Sequence, residues 1–193
     1  MGQVIGISEW VDRLTEIPAK EFTLSNIERF VREQTINAES LDPYLFFSKS
    51  SYTRNLIFKN ELFECLTICW DVGQASRIHR HHGQHCWIAT PIGRLRAQNF
   101  RVEDRDPEAG TCRLVATDAV DMDAEHPATV NPREPVHQVH NLREFGQRAV
   151  SVHVYSHPSD RCEVYSLDKG TYFDAPLYYT SEHGQLSPEE QLR

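Results

Sequence analysis

The chain has 193 residues, 39% hydrophobic and 25% charged, which suits one globular domain with a core of its own. A formal net charge of −8 argues against nucleic-acid binding, which needs a basic face, and no apolar run reaches the roughly 18 residues of a membrane span. The opening MGQVIGISEWVDRL lacks the basic flank and long apolar run of a secretory signal, and Gly2 lacks the Ser or Thr that myristoylation favours at position 6, where Gly6 stands. The expectation is a cytoplasmic protein; the sequence sets no oligomeric state, and a monomer is compatible with it.

In chain order, residues 1–50 read as helical. Ser8 is a plausible N-cap for a first helix, with Val11, Leu14 and Ile17 at helical spacing before Pro18. A second helix starts near Thr23 or Ser25, with Leu24, Ile27, Phe30 and Val31 as its apolar stripe, and Pro43 breaks the pattern. From Tyr52 the character changes to short β-rich runs separated by Gly, Pro, Asp and Asn clusters. Strands are expected at Glu61–Trp70, Arg77–His81, His85–Thr90, Arg94–Val102, Cys112–Ala119, Ala128–Val130, His137–Asn141, Ala149–Ser156 and Glu163–Asp168. The reading is one mainly β barrel over residues 51–185, led into by helices and followed by a solvated tail over 186–193.

Five cysteines (Cys65, Cys69, Cys86, Cys112, Cys162) form no framework spacing and read as free thiols, with Cys65 and Cys69 in the apolar run LFECLTICW as core. The ten histidines carry more. In RIHRHHGQHCW, His79 and His81 stand two apart and project to one side of a strand, where two imidazoles can grip one metal, while Arg80 and His82 point away. His85 shares their parity. In PREPVHQVHN, His137 and His140 stand three apart, so at most one faces inward with the first pair.

The strand around Val152 has two faces. Val150, Val152 and Val154 alternate with Ser151, His153 and Tyr155, and on a half-exposed strand the polar three would face water.

The spacing of Gly73, His79, His81, Cys86 and Gly93 resembles the first motif of the cupin superfamily, with Cys86 where the usual glutamate ligand stands. Pro132, Glu134, His137 and Asn141 resemble its second motif. A cupin with cysteine in place of that glutamate is similar to the cysteine dioxygenases. YTRN at Tyr52–Asn55, ICW ending in Trp70, HCW around Cys86, SVHVYS at Ser151–Ser156 and the step from Asp160 to Cys162 extend the resemblance over residues 52–184.

That resemblance implies a small cupin β-barrel or jelly-roll holding iron(II) through His79, His81 and His137. It implies a small thiol and dioxygen as reactants, cysteine binding through sulfur and amino nitrogen, and cysteine sulfinic acid as product. Three neutral imidazoles leave the dication uncompensated and favour a thiolate donor. By the same resemblance Arg54 takes the substrate carboxylate through its guanidinium fork, with Tyr52 shaping that end. Ser151, His153 and Tyr155 then form a relay pointing inward, which reverses the solvent-facing reading of that strand. Cys86 matches a cysteine that in some members joins the catalytic tyrosine, here Tyr155, through a thioether; a free thiol in the pocket wall is the equal alternative. Cys162 lies near the substrate or packs, His85 supports the pocket, and Trp70 packs and hydrogen-bonds behind it.

Arg80 departs from the aspartate of the animal enzymes and is expected to face outward. Enzymes of the sister type acting on 3-mercaptopropionate carry glutamine where Arg54 stands, which favours cysteine. The other readings are a zinc cupin of different function and a β-domain with an incidental histidine cluster.

Overall fold

A computed structural model describes residues 3–130 and 135–188. The readings placed on Gly2, Pro132, Glu134 and the tail past residue 188 lie outside the described residues. Among these, no helix is long and apolar enough to cross a membrane.

The N-terminal region contains β1 (Gln3–Ile5), α1 (Ile7–Thr15), α2 (Leu24–Glu33) and β2 (Gln34–Ile36). Helix α1 starts one residue before Ser8, so that serine is not its cap. Gly6 holds the N-cap position without a side-chain bond, and the Ile7 amide donates instead to Ser40 Oγ at 2.8 Å. Ile7 is buried, and burying it draws the helix start upstream. Helix α2 starts beside Thr23, one of the two starts expected, and Thr23 caps it by accepting from the Asn26 amide. The parallel pair β1 and β2 was not anticipated, because three-residue strands carry no readable period. Pro43 ends no helix; it sits inside a 3-10 segment, Ala38–Tyr44.

The β region comprises β3 (Thr53–Lys59), β4 (Phe63–Trp70), β5 (Ile78–His81), β6 (Cys86–Ile92), β7 (Leu95–Asp106), β8 (Thr111–Met122), β9 (Ala128–Thr129) and β10 (Val136–His140). It continues through β11 (Ala149–Ser156), β12 (Arg161–Ser166), β13 (Thr171–Pro176), β14 (Ser181–Glu182) and β15 (Gln185–Leu186). Strands β10, β5, β12, β13, β8 and β7 close a barrel in that order, and a seven-stranded sheet runs β15, β14, β3, β4, β11, β6, β9. The mainly β barrel with N-terminal helices matches the fold expected of the sequence. The stretch read as tail begins inside β15, whose hairpin with β14 adds to β3.

Every residue of β4 and β11 is buried. Strand β11 therefore has no water side, and its alternation separates two interiors. Val150, Val152 and Val154 pack outward with Cys65, Cys69 and Trp87 against Trp10, Leu14 and Ile27 of the helices. Trp87 also donates to the Leu24 carbonyl at 3.0 Å, tying α2 to β6. Ser151, His153 and Tyr155 face the other way, where Leu66, Ile68, Trp70 and Cys86 line the interior. The helices thus cover the apolar back of the sheet and leave its polar face for the barrel cavity.

Gly93 turns β6 into β7 with φ +76°, and a Cβ there would lie 2.5 Å from the Arg148 carbonyl oxygen. Only glycine fits that approach.

Candidate metal centre and thiol pocket

Strands β5 and β10 run antiparallel with His79 opposite His137. His81, two residues along β5, projects to the same side. The three imidazoles present ligand atoms that all lie within 4.8 Å of one another. His79 Nδ1 sits 2.8 Å from the Arg77 carbonyl oxygen, and His137 Nδ1 sits 3.0 Å from that of Pro135. A nitrogen facing a carbonyl carries the proton, so in both rings Nε2 keeps its lone pair. These carbonyls, each two residues before its histidine, orient the ligands, and no sequence signal marks them.

Burial holds all three rings neutral. It depresses the His79 pKa to about 3, with His137 beside it adding to the effect. Burial likewise pushes His81 well below its usual range, followed by the fields of His79 and His137, and it lowers His137. His81 Nε2 is buried and has no hydrogen-bond partner among the described residues. A buried polar nitrogen without a partner is costly unless something else satisfies it. A triad of neutral nitrogen donors with one such orphan fits a divalent transition metal.

A cavity of about 530 Å³ reaches two of the three histidines and is lined by Tyr52, Arg54, His79, His81, Cys162 and Tyr178 among others. The Tyr52 ring stacks on Trp70 at 4.8 Å. Arg54 lies on β3, its guanidinium carbon 5.8 Å from the Tyr155 ring centre, and its Nε is buried with no partner among the described residues. Cys162 is the cross-strand neighbour of His81.

Behind the triad the expected relay is present as geometry. Trp70 Nε1 donates to Ser151 Oγ at 2.9 Å, Ser151 Oγ meets His153 Nε2 at 2.9 Å, and His153 Nδ1 meets the Tyr155 hydroxyl at 2.9 Å. The Tyr155 ring lies 4.8 Å from that of His81. Burial raises the Tyr155 pKa well above the phenol range and lowers that of His153, so both stay neutral. Cys86 faces Tyr155 in register across β6 and β11, its sulfur 3.8 Å from His153 Nδ1, and burial pushes its thiol pKa up.

A family model described as cysteine dioxygenase type I matches residues 11–168. The chain belongs to the cysteine dioxygenase type I family. It is similar to cysteine dioxygenase type 1 of Danio rerio, at 25% identity over 86% of this chain and 82% of the relative. The Homo sapiens protein of that name is 28% identical over 75% of this chain and 70% of its own. Among solved structures, a protein with a double-stranded beta-helix domain from Klebsiella pneumoniae aligns at TM-score 0.46 and 14% identity, covering 70% of this chain and 94% of that one. A cupin domain from Schizosaccharomyces pombe aligns at TM-score 0.43 and 11% identity, over 60% of this chain and 71% of that one. By family this dioxygenase acts on a thiol.

Not every histidine in the two motifs joins the site. His85 does not share the parity of His79 and His81, because β5 ends at His81 and the chain bends through Gly83 at φ +64° before β6 begins. Its ring lies 5.8 Å from Trp87. His82 pairs outside with Asp174. His140, half-buried, lies outside the triad. Arg80 faces outward as expected, 3.0 Å from Glu163, which is also held by Arg105.

Two residues near Arg54 were missed. Glu64 is buried with an oxygen 4.0 Å from Arg54 Nη2, and the Tyr179 hydroxyl donates to its other oxygen. A lone acid inside LFECLTICW was the available signal.

Proposed function

We propose that this dioxygenase holds iron(II) through His79, His81 and His137 and oxidises L-cysteine to cysteine sulfinic acid. The observation that carries the reading is one cavity lined both by His79 and His81 of the triad and by the buried guanidinium of Arg54, whose Nε has no partner among the described residues. A small thiol acid has two ends, and these two features answer them.

Iron(II), when bound, supplies the redox centre that lets dioxygen react with a thiol sulfur; a zinc ion offers no such electrons. The chain's own residues do the rest. Arg54 binds the carboxylate by charge-assisted hydrogen bonds, satisfying its orphan nitrogen, and Tyr52, fixed against Trp70, bounds that end. With carboxylate and metal both set on strands, the sulfur is carried to one place, which replaces a search by a local rearrangement.

Tyr155 delivers or holds a proton at its hydroxyl. The Trp70 N–H occupies Ser151, and two proton arrangements then satisfy the row. In one, the phenol donates to His153 Nδ1. In the other, Ser151 donates to Nε2 and the Nδ1 proton goes to the phenol oxygen, freeing the phenol hydrogen for an acceptor in the cavity. Buried apolar walls from Leu66, Ile68 and Ile88 exclude water from this exchange. Overall, both atoms of dioxygen end on sulfur and the thiol proton is released.

Oxygen uptake by iron-loaded protein across a panel of small thiols tests the reading. Cysteine is expected to be the preferred substrate; a wide preference for 3-mercaptopropionate, or zinc as the metal of the active protein, overturns it.

A further inference from the structure

Glu64 has no part in the scheme above, yet it is a fully buried carboxylate beside the substrate pocket. It stands on β4 as the register partner of Tyr155 on β11 and of Lys59 on β3, so all three project to one face. One oxygen lies 4.0 Å from Arg54 Nη2. That is beyond hydrogen-bond reach, so Glu64 acts on Arg54 through charge and takes up no guanidinium N–H itself. The other oxygen accepts from the Tyr179 hydroxyl, which in turn receives Lys59 Nζ at 3.2 Å. The Tyr179 ring centre lies 5.9 Å from the guanidinium carbon. Glu64 is thereby held back from closing a direct ion pair with Arg54.

We propose that Glu64 is a positioning residue that opposes the substrate carboxylate on the shared guanidinium, moderating thiol-acid affinity and hastening departure of the sulfinate product. The inference rests on Arg54 receiving the carboxylate. Its physical basis is charge counting in a site that water screens weakly. Arg54 brings one positive charge, Glu64 one negative charge, and an incoming carboxylate meets both. Substrate and product carry the same carboxylate, so the opposing charge weakens the hold on both and speeds release of the product. The hydroxyl of Tyr179 sets how far the carboxylate advances on Arg54.

The test uses the full chain, iron-loaded, with Glu64→Gln, Tyr179→Phe and Arg54→Gln. Glu64→Gln keeps shape and an oxygen for Tyr179 while deleting the charge. It is expected to lower the KM for cysteine and the inhibition constant of cysteine sulfinate about threefold or more. The inhibition constant of the carboxylate-free sulfinate derived from cysteamine is expected to stay unchanged. Tyr179→Phe frees Glu64 to approach Arg54 and shifts the cysteine KM the opposite way. A merely structural role for Glu64 predicts neither the opposite signs nor the dependence on a carboxylate. An unchanged or raised KM in Glu64→Gln, or an equal shift for the carboxylate-free sulfinate, overturns the proposal. Arg54→Gln separates the two levels: if it leaves the cysteine KM unchanged, the placement of the carboxylate fails as well. If it raises KM while Glu64→Gln does not lower it, only the role of Glu64 fails.

Discussion

His137 and His79 are direct partners across the β5–β10 ladder, so the pairing that closes the barrel also sets the separation of two ligands. His81 follows from strand parity alone. Replacing any of the three by alanine is expected to cut iron affinity by more than about 100-fold, beyond the loss caused by removing a supporting hydrogen bond. His85→Ala and His140→Ala are expected to retain iron. Metal analysis after anaerobic loading and desalting checks both halves, and iron lost on changing His85 would contradict the assignment.

The row from Trp70 to Tyr155 predicts graded losses. Tyr155→Phe removes the hydroxyl at the end of the row, beside His81, and is expected to lower kcat about 100-fold. Ser151→Ala leaves His153 and Tyr155 in contact but frees His153 Nε2, and a smaller loss is expected. Steady-state oxygen uptake reads both; equal losses would show that Ser151 does more than orient His153.

Cys86 and Tyr155 are register partners on neighbouring strands, and a thioether between them is the modification to test. Joining them removes one hydrogen from each, with dioxygen as the oxidant. Intact mass after aerobic turnover is expected to fall by two hydrogens in the parent protein and to stay constant in Cys86→Ser. An unchanged parent mass after exhaustive turnover would assign Cys86 to the pocket wall as a free thiol.

Acid should unfold the metal-free protein early. Burial depresses the pKa values of His79, His81, His137 and His153 below 6.5, so the folded state resists protons that the unfolded chain accepts. Their neutral burial costs nothing above the unfolded value. As pH falls below about 6.5 each histidine removes up to about 1.4 kcal/mol of stability per pH unit. Denaturant titration of metal-free protein between neutrality and pH 5 measures the slope, and His153→Asn is expected to flatten it. A flat profile would mean that these rings accept protons while folded.

The helices matter to the site through the sheet they cover. Leu14 is fully buried among the valines of β11, and Leu14→Ala is expected to cost about 2–5 kcal/mol. Chemical denaturation measures it, and a loss under about 1 kcal/mol would show α1 to be loosely docked.

Much of this molecule was readable in its residues. The parity of His79 and His81 and the run of nine strands follow from alternation, while the inward turn of Ser151, His153 and Tyr155 was legible only through the family resemblance. Alternation gave the two faces of β11 but not which one meets water, because the helices that bury Val150, Val152 and Val154 are distant in sequence. The parity of His85 failed at the bend through Gly83, which a two-residue count cannot see. Strand β3, which carries Arg54, was not among the expected strands, and β13 to β15 escaped notice because they are short or half-exposed and carry no apolar alternation. The carbonyls of Arg77 and Pro135 that orient the ligands have no side-chain signature at all.

The most direct test of the central claim is the fate of isotopically heavy dioxygen supplied to the iron-loaded protein with cysteine. Mass spectrometry is expected to find both heavy atoms in a single cysteine sulfinate, with one dioxygen consumed per cysteine. Cystine or peroxide as the main product, or a sulfinate carrying oxygen from water, would contradict an enzyme that puts both atoms of dioxygen on the sulfur.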